Sequence, residues 1–270
     1  MELEETVLGP LPVLAGGDGP PLLYLGGLLP VAGVRTRLAR RSAEFSARPL
    51  ADIRRVLYAN RRPGLPEGLT MAELAADHAA AIRALDTGPV DVVGVSTGGS
   101  IAQQLAVDHP QSVRRLVLLS TGCRLLPETR RMQARAAADV RKGRPERAIV
   151  SGAADLFFPP LEPIARVLAP LLSPLVGGLG DLSDLAVTIE AEDAFDLRRA
   201  EGTIRAPTLI VCGARDRFYP RPLLEETQRL IPGSRLYIVP RRGHLTAGGN
   251  ARAIATVRGF LQHGSSGVEP

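Results

Sequence analysis

Apolar and polar positions along this chain follow two rhythms. Short runs dense in Val, Leu, Ile and Tyr, bounded by Gly and Pro, predict strands at residues 21–27 (PLLYLGG), 54–60 (RRVLYAN), 89–96 (PVDVVGVS), 113–120 (VRRLVLLS), 207–213 (PTLIVCG) and 235–240 (RLYIVP). Between them, apolar residues recur at helical spacing over 69–85, 97–110, 222–232 and 250–263. Thr70, with Glu73 three residues on, predicts a capping box at the start of the first helix. Pro110 closes the second. The run at 89–96 is apolar nearly throughout, as expected of a strand buried on both faces of a parallel sheet.

The alternation stops at about residue 124 and resumes after 200. The intervening stretch has helical composition broken by prolines and glycines, as in FFPPLEP and APLLSPLVGGLGDLSDL. The predicted architecture is therefore α/β: a mostly parallel central sheet with helices on both faces, plus an inserted helical cap. The expected division is a core of residues 1–123 and 201–270 and a cap of 124–200. Within the cap, the acidic stretch 189–197 (IEAEDAFDL) is expected to be the exposed face of a helix. The last residues, GSSGVEP, are expected to fray.

Composition adds exclusions. No apolar stretch is long enough for a membrane span, and the acidic start MELEETVLGP is unlike a secretory leader, so a cytoplasmic location is expected. The net charge of +5 is carried almost wholly by arginine, with Lys142 the single lysine. The basic segment RTRLARR (35–41) has no aromatic partners and no nucleic-acid reader motif around it, so a solvated charged face is expected there and no nucleic-acid partner. Cys123 and Cys212 sit in or beside strand-like runs and read as buried thiols. Four scattered histidines give no metal-ligand spacing. No dinucleotide fingerprint or P-loop is present, and neither a metal nor an organic cofactor is expected. Nothing in the pattern sets the oligomeric state.

One stretch invites chemistry. In DVVGVSTGGS (91–100), a buried strand ends in Ser96 with glycines crowded around it. Gly94-x-Ser96-x-Gly98 fits the motif in which a strand turns sharply into a helix and exposes a serine on strained backbone. A glycine-rich structural turn is the alternative. A serine hydroxyl needs a base, and the base an orienting carboxylate. On such a sheet both belong in loops after strand ends. Asp216 follows PTLIVCG and His244 follows RLYIVP. The rival histidines are less well placed: His78 lies within a helix, His109 at a helix end and His263 near the tail. Asp91 starts the strand that ends at Ser96, at the opposite edge of the sheet. No carboxylate follows VRRLVLLS directly. An oxyanion also needs two backbone N–H donors: Thr97, after the serine, and Leu28 or Gly27 in the glycine-rich loop of YLGGLLP.

Taken together, YLGGLLP, GVSTGGS, HPQSVRRLVLLSTG, IRAPTLIVCGARDRFYP and RRGHLTAGG resemble the α/β-hydrolase superfamily over nearly all of residues 10–263. The chain order Ser96, Asp216, His244 is that of the superfamily's triad. The resemblance is closest to small cofactor-free ester hydrolases, the branch that also holds cofactor-free haloperoxidases and carbon–carbon bond hydrolases. It implies Ser96 as nucleophile, Asp216 as acid, His244 as base and the helical insertion as a lid. One departure stands out. The family usually carries His-Gly in the oxyanion loop, with the histidine bracing it; here the pair is Gly26-Gly27.

The expected activity is hydrolysis of an ester or related carbonyl on a lipophilic small molecule, through an acyl-enzyme. Alternatives with the same residues are lactone opening, acyl transfer and carbon–carbon cleavage. A ligand-binding protein of this fold with little turnover is the reading from another class. The apolar, proline-rich segment LFFPPLEPIARVLAPLLSPLV serves either the cap's own packing or a pocket wall. Leu28, Phe157, Phe158, Tyr219 and Leu245 are the expected substrate-contacting residues.

Overall fold

The computed structural model describes residues 3–157, 162–172, 179–200 and 202–263. Its strands are β1 (Glu4–Leu8), β2 (Leu11–Gly16), β3 (Pro21–Leu25), β4 (Arg55–Ala59), β5 (Val90–Val95), β6 (Val113–Leu119), β7 (Thr208–Gly213) and β8 (Arg235–Val239). They form one sheet in the order β1-β2-β4-β3-β5-β6-β7-β8. From β4 to β8 every pairing is parallel; β2 runs antiparallel to both β1 and β4. This is the α/β-hydrolase fold.

Both sheet faces are covered, which explains the unbroken apolar runs of the central strands. Successive side chains point to opposite faces, so Leu116 and Leu118 of β6 enter one core while Val117 and Leu119 enter the other. The first core is completed by α2 (Met71–Arg83), α3 (Thr97–Asp108) and α8 (Arg221–Leu230). The second lies under α1 (Arg37–Ala47) and α9 (Ala251–His263). The predicted capping box on α2 is present, with Thr70 and Glu73 bonded reciprocally. Among the described residues, no helix is long and apolar enough to cross a membrane.

Two features go beyond the sequence pattern. The first is the β1–β2 hairpin, turned over Gly9-Pro10 with Gly9 at φ +56°. A Gly at the first position of a two-residue turn is a hairpin signal, but β1 is an exposed edge strand without an apolar rhythm. The second is α1, which covers most of the basic segment. Thr36 caps it by accepting from the N–H of Ala39, and Arg35 and Arg40 both bond Glu5 of β1.

Between β6 and β7 lie α4 (Pro127–Arg141), α5 (Pro145–Phe157), α6 (Glu162–Leu168) and α7 (Ser183–Ala194). The expectation that the acidic stretch of α7 is an exposed face is corrected here. Within 189–197, Glu190 and Ala194 are exposed, but Ile189, Ala191, Phe195 and Leu197 are buried, and Glu192 is fully so. The helix is clasped between α4 and the core, so its carboxylates find partners. Glu190 accepts from Arg141, Asp193 from Arg130, and Asp184 from the backbone N–H groups of Gly64 and Leu65.

At the N-terminal end of β5, Asp91 is buried and accepts from Arg54 at 3.0 Å and Arg114 at 2.8 Å. Arg54 also bonds the carbonyl of Leu261 in α9, so this charge joins β4, β5, β6 and the closing helix. Replacing Asp91 by Asn should destabilise the protein by about 3–5 kcal/mol, because Arg54 is then buried without its anion. A urea unfolding curve of D91N beside the wild type checks this; a midpoint unchanged within error would show that the network carries no stability.

Candidate active site

Ser96 occupies the hinge between β5 and α3. Its backbone sits at φ +52°, ψ −123°, a conformation that costs a non-glycine residue free energy. Its N–H donates to Leu119 O at 3.0 Å, and its carbonyl accepts from Gly99 at 2.7 Å and Ser100 at 3.2 Å. The surrounding glycines are there for space. A Cβ on Gly94 would sit 2.5 Å from Gly98 O, and one on Gly98 would sit 2.5 Å from Gly26 O. One on Gly99 would collide with the side chain of Thr121. The glycines let α3 press against β5 and β3, and that pressure holds Ser96 in its unfavourable bend.

His244 and Asp216 come from the loops after β8 and β7. Gly213, at the end of β7, carries no side chain where Arg242 O passes, so the two loops can meet. Arg215 N–H donates to Arg242 O at 2.8 Å. Past β6, in the position without a carboxylate, Ser120 adopts φ +47° and donates from Oγ to His244 O at 2.8 Å. The outcome is a linear hydrogen-bonded chain. His244 Nε2 is 3.1 Å from Ser96 Oγ, and its Nδ1 is 2.9 Å from Asp216 Oδ2.

The Asp216 side chain is fully buried. Burial opposes its ionisation, but the bond and charge of His244, the Cys212 thiol at 3.2 Å and the Tyr219 N–H outweigh it. The carboxyl is held below the ordinary aspartate value. Oδ1 accepts from Phe218 N at 2.9 Å and Tyr219 N at 3.1 Å. The rings of these two residues flank the imidazole, Phe218 edge-on at 4.9 Å and Tyr219 stacked at 5.8 Å. Cys212 itself is inert, its thiol pushed well up by burial and by Asp216.

A cavity of about 600 Å³ opens over Ser96. Leu28, Gly27, Thr97, Tyr219 and Leu245 all line it. Phe158 lies outside the described residues; Phe157 ends α5, and its side chain is not among those described. The N–H groups of Gly27, Leu28 and Thr97 have no hydrogen-bond acceptor among the described residues, whereas Gly26 N–H is bound to Ala59 O.

Two buried charges beside the site were invisible in the sequence. Arg61, just past β4, is 2% exposed. It donates to Leu29 O at 2.7 Å and to Asn60 Oδ1 at 3.1 Å, and burial pushes its pKa down to about 10. The Tyr58 hydroxyl fills the space where a side chain on Gly26 would go. Tyr58 and Arg61 thus support the loop where the family histidine is missing. Glu192, on α7, accepts from Thr97 Oγ1 at 2.8 Å, Ser100 Oγ at 3.0 Å and Gln133 Nε2 at 3.3 Å. Burial raises its pKa, against the pull of these donors. Of the two, only Glu192 had a local cue, its acidic neighbourhood, and that cue pointed to solvent.

Comparison with known proteins places the chain. The model of the alpha/beta hydrolase family matches residues 36–257. The chain belongs to that family. Among curated relatives of this hydrolase, a Klebsiella pneumoniae protein assigned as the carbamate hydrolase RutD is 30% identical over 76% of this chain and 77% of its own. A pimeloyl-[acyl-carrier protein] methyl ester esterase of Neisseria meningitidis is 30% identical over 70% of this chain and 75% of its own. The enol-lactonase of Burkholderia xenovorans shares the fold, with a TM-score of 0.74 at 22% identity over 96% of this chain and all of the other.

The packing of the elbow makes a specific prediction. Gly99→Ala should destabilise the hydrolase by about 1–3 kcal/mol through its clash with Thr121. Thr121→Gly in the same chain, which also removes the Thr121 Cβ that would lie 2.6 Å from the new methyl, should recover much of that loss, giving a non-additive double-mutant cycle in thermal unfolding. Additive effects would show that the two side chains do not compete for the same space.

Proposed function

We propose that this enzyme hydrolyses a carboxylic ester or carbamate-type carbonyl through Ser96, His244 and Asp216. The observation that carries the reading is the hydrogen-bonded chain from Asp216 through His244 to Ser96 Oγ, ending at the floor of a largely apolar cavity. The names of the relatives, a carbamate hydrolase and a methyl ester esterase, support the same class of carbonyl.

In this mechanism His244 Nε2 accepts the Ser96 proton as Oγ attacks the carbonyl carbon. Asp216, ionised and bonded to Nδ1, fixes the tautomer and stabilises the imidazolium. The oxyanion is received by Thr97 N–H and by Leu28 or Gly27 N–H, which point to no other acceptor. Thr97 also stands at the N-terminus of α3, where the helix dipole favours negative charge. His244 then protonates the leaving group. A water molecule, deprotonated by the same nitrogen, opens the acyl-enzyme. The helices between β6 and β7 act as the cap, and the apolar lining selects lipophilic substrates. No step requires a metal or an organic cofactor.

Ser96→Ala should lower kcat/KM for p-nitrophenyl butyrate about 10³-fold or more, while binding of product is retained. Equal activity in mutant and wild type would remove Ser96 from the mechanism. Asp216 also sets a pH expectation. Its folded-state pKa lies below 3.8, so its contribution to stability is complete above the unfolded value and is lost only as pH falls through the lowered one. Wild-type stability should therefore fall relative to Asp216→Asn only below about pH 4, as read from unfolding midpoints across pH. Convergence of the two proteins already at pH 6 would show that Asp216 carries no such linkage.

A further inference from the structure

The cavity over Ser96 reaches residues that a site confined between cap and core would not touch. Helix α1 explains how. It packs on the sheet through Ala39, Ala43 and Ala47, all fully buried. Small side chains let a helix approach closely, but they also leave its next stripe unsupported. That stripe, at helical spacing, is Leu38, Ser42 and Phe45, and it lines the cavity. Leu38 is 53% exposed and Phe45 65% exposed, although both are large and apolar. Phe45 leans on Gly249 in the loop after His244, where a Cβ would lie 3.0 Å from its ring.

Ala253 and Val257 of α9 and Tyr24 of β3 also line the cavity. Tyr24 belongs to a central strand, yet retains 7% accessibility where its neighbours Leu22 and Leu23 have 1% or less. Val93, three positions before Ser96 on β5, borders the space but is itself fully buried. The hydroxyls nearby are already engaged: Tyr58 donates to Ser42 Oγ at 3.0 Å, and Tyr24 bonds Ser46. The rest of the slot's lining, Leu38, Phe45, Ala253 and Val257, is apolar.

We propose that this slot between α1 and α9 is a subsite for an unbranched, medium-length alkyl limb of the substrate, separate from the space under α4–α7. The inference rests on the ester or carbamate reading above and adds the shape of the substrate: one linear apolar chain running from the scissile group along the Leu38–Phe45 stripe of α1, with the remainder of the molecule under the cap. Binding there buries apolar area of the chain and of Leu38 and Phe45 together.

The test compares wild type, Phe45→Ala, Ser46→Leu and Gly152→Phe. Phe45→Ala removes the slot's apolar wall, and Ser46→Leu fills its interior. Gly152 lies on cap helix α5 and lines the cavity, and a Cβ added there would meet nothing within 4 Å, so Gly152→Phe projects a ring into the other limb. Two ester series are measured: p-nitrophenyl acetate against octanoate, and ethyl acetate against octyl acetate. The expected result is an octyl preference in one series that falls about tenfold in both slot variants, with the short ester within a factor of about two. The series that responds tells whether acyl or alcohol chain occupies the slot. Gly152→Phe should leave that preference unchanged. Loss of the preference in Gly152→Phe alone, or an unchanged ratio in both slot variants, overturns the proposal. If wild type turns over no ester, rates of Ser96 labelling by ethyl and octyl fluorophosphonates give the same comparison. Labelling without chain-length discrimination then rejects the slot alone; no labelling at all rejects the serine-hydrolase reading beneath it.

Discussion

The candidate site hangs on one unfavourable backbone conformation. Ser96 at φ +52° is a bend that the chain would relieve if it could. What prevents relief is packing from three sides. Gly94 and Gly98 bring α3 against β5, Gly98 rests on the carbonyl of Gly26, and Gly99 rests on Thr121. The hydrogen bond from Ser96 N–H to Leu119 O pins the bend to β6. A side chain at any of these glycines would push the elbow outward and carry Ser96 Oγ away from His244. Stability in the parallel sheet is therefore what maintains the reactive geometry, and the buried Asp91 network at the other end of β5 serves the same strand.

The loops that meet Ser96 solve a second problem, which is how to hold charged and polar groups in a place with little water. Asp216 is satisfied by four donors, so its charge is stable without solvent. Arg61 is a harder case. It is almost fully buried, and carbonyl oxygens and Asn60 take its hydrogen bonds while Asp184 contributes from a distance. A cation in that setting is costly to bury, and its bond to Leu29 O ties the end of β4 to the loop of Leu28 and Leu29. Glu192 ties α7 to the first turn of α3 in the same way. Both groups connect the roof of the cavity to the backbone that surrounds Ser96.

The parts of this arrangement differ in how far local sequence could announce them. The central strands were legible because burial on both faces makes them uniformly apolar, and α2 because Thr70 and Glu73 cap it within one turn. Ser96 was legible because steric crowding writes glycines at fixed offsets from it. Asp216 and His244 could be sought because a sheet of this kind delivers both at strand ends. The β1–β2 hairpin was not legible, since an exposed edge strand has no apolar rhythm to read. Glu192 was misread for a related reason: acidic residues normally face water, and only a distant element, the first turn of α3, makes burial tolerable. Arg61 sits in a run of arginines whose abundance hides the one that matters.

The alanine face of α1 shows how a core can create a site while stabilising a fold. Three small residues let the helix close on the sheet, and that contact leaves Leu38 and Phe45 largely exposed, with Phe45 leaning on the loop at Gly249. In a protein selected only for stability, such a stripe would be replaced by polar residues or covered by another element. Here it borders the same cavity as Ser96, and the glycines at 248 and 249 keep the loop after His244 thin enough for the cavity to pass beside it. In the mechanism proposed above, Ser96, His244 and Asp216 set which bond is broken. On the further proposal, the slot between α1 and α9 would select which molecules bring that bond to Ser96, with residues that take no part in proton transfer. Selectivity of that kind would be a property of the core, set by the size of alanines on one side of a helix rather than by polar contacts around Ser96.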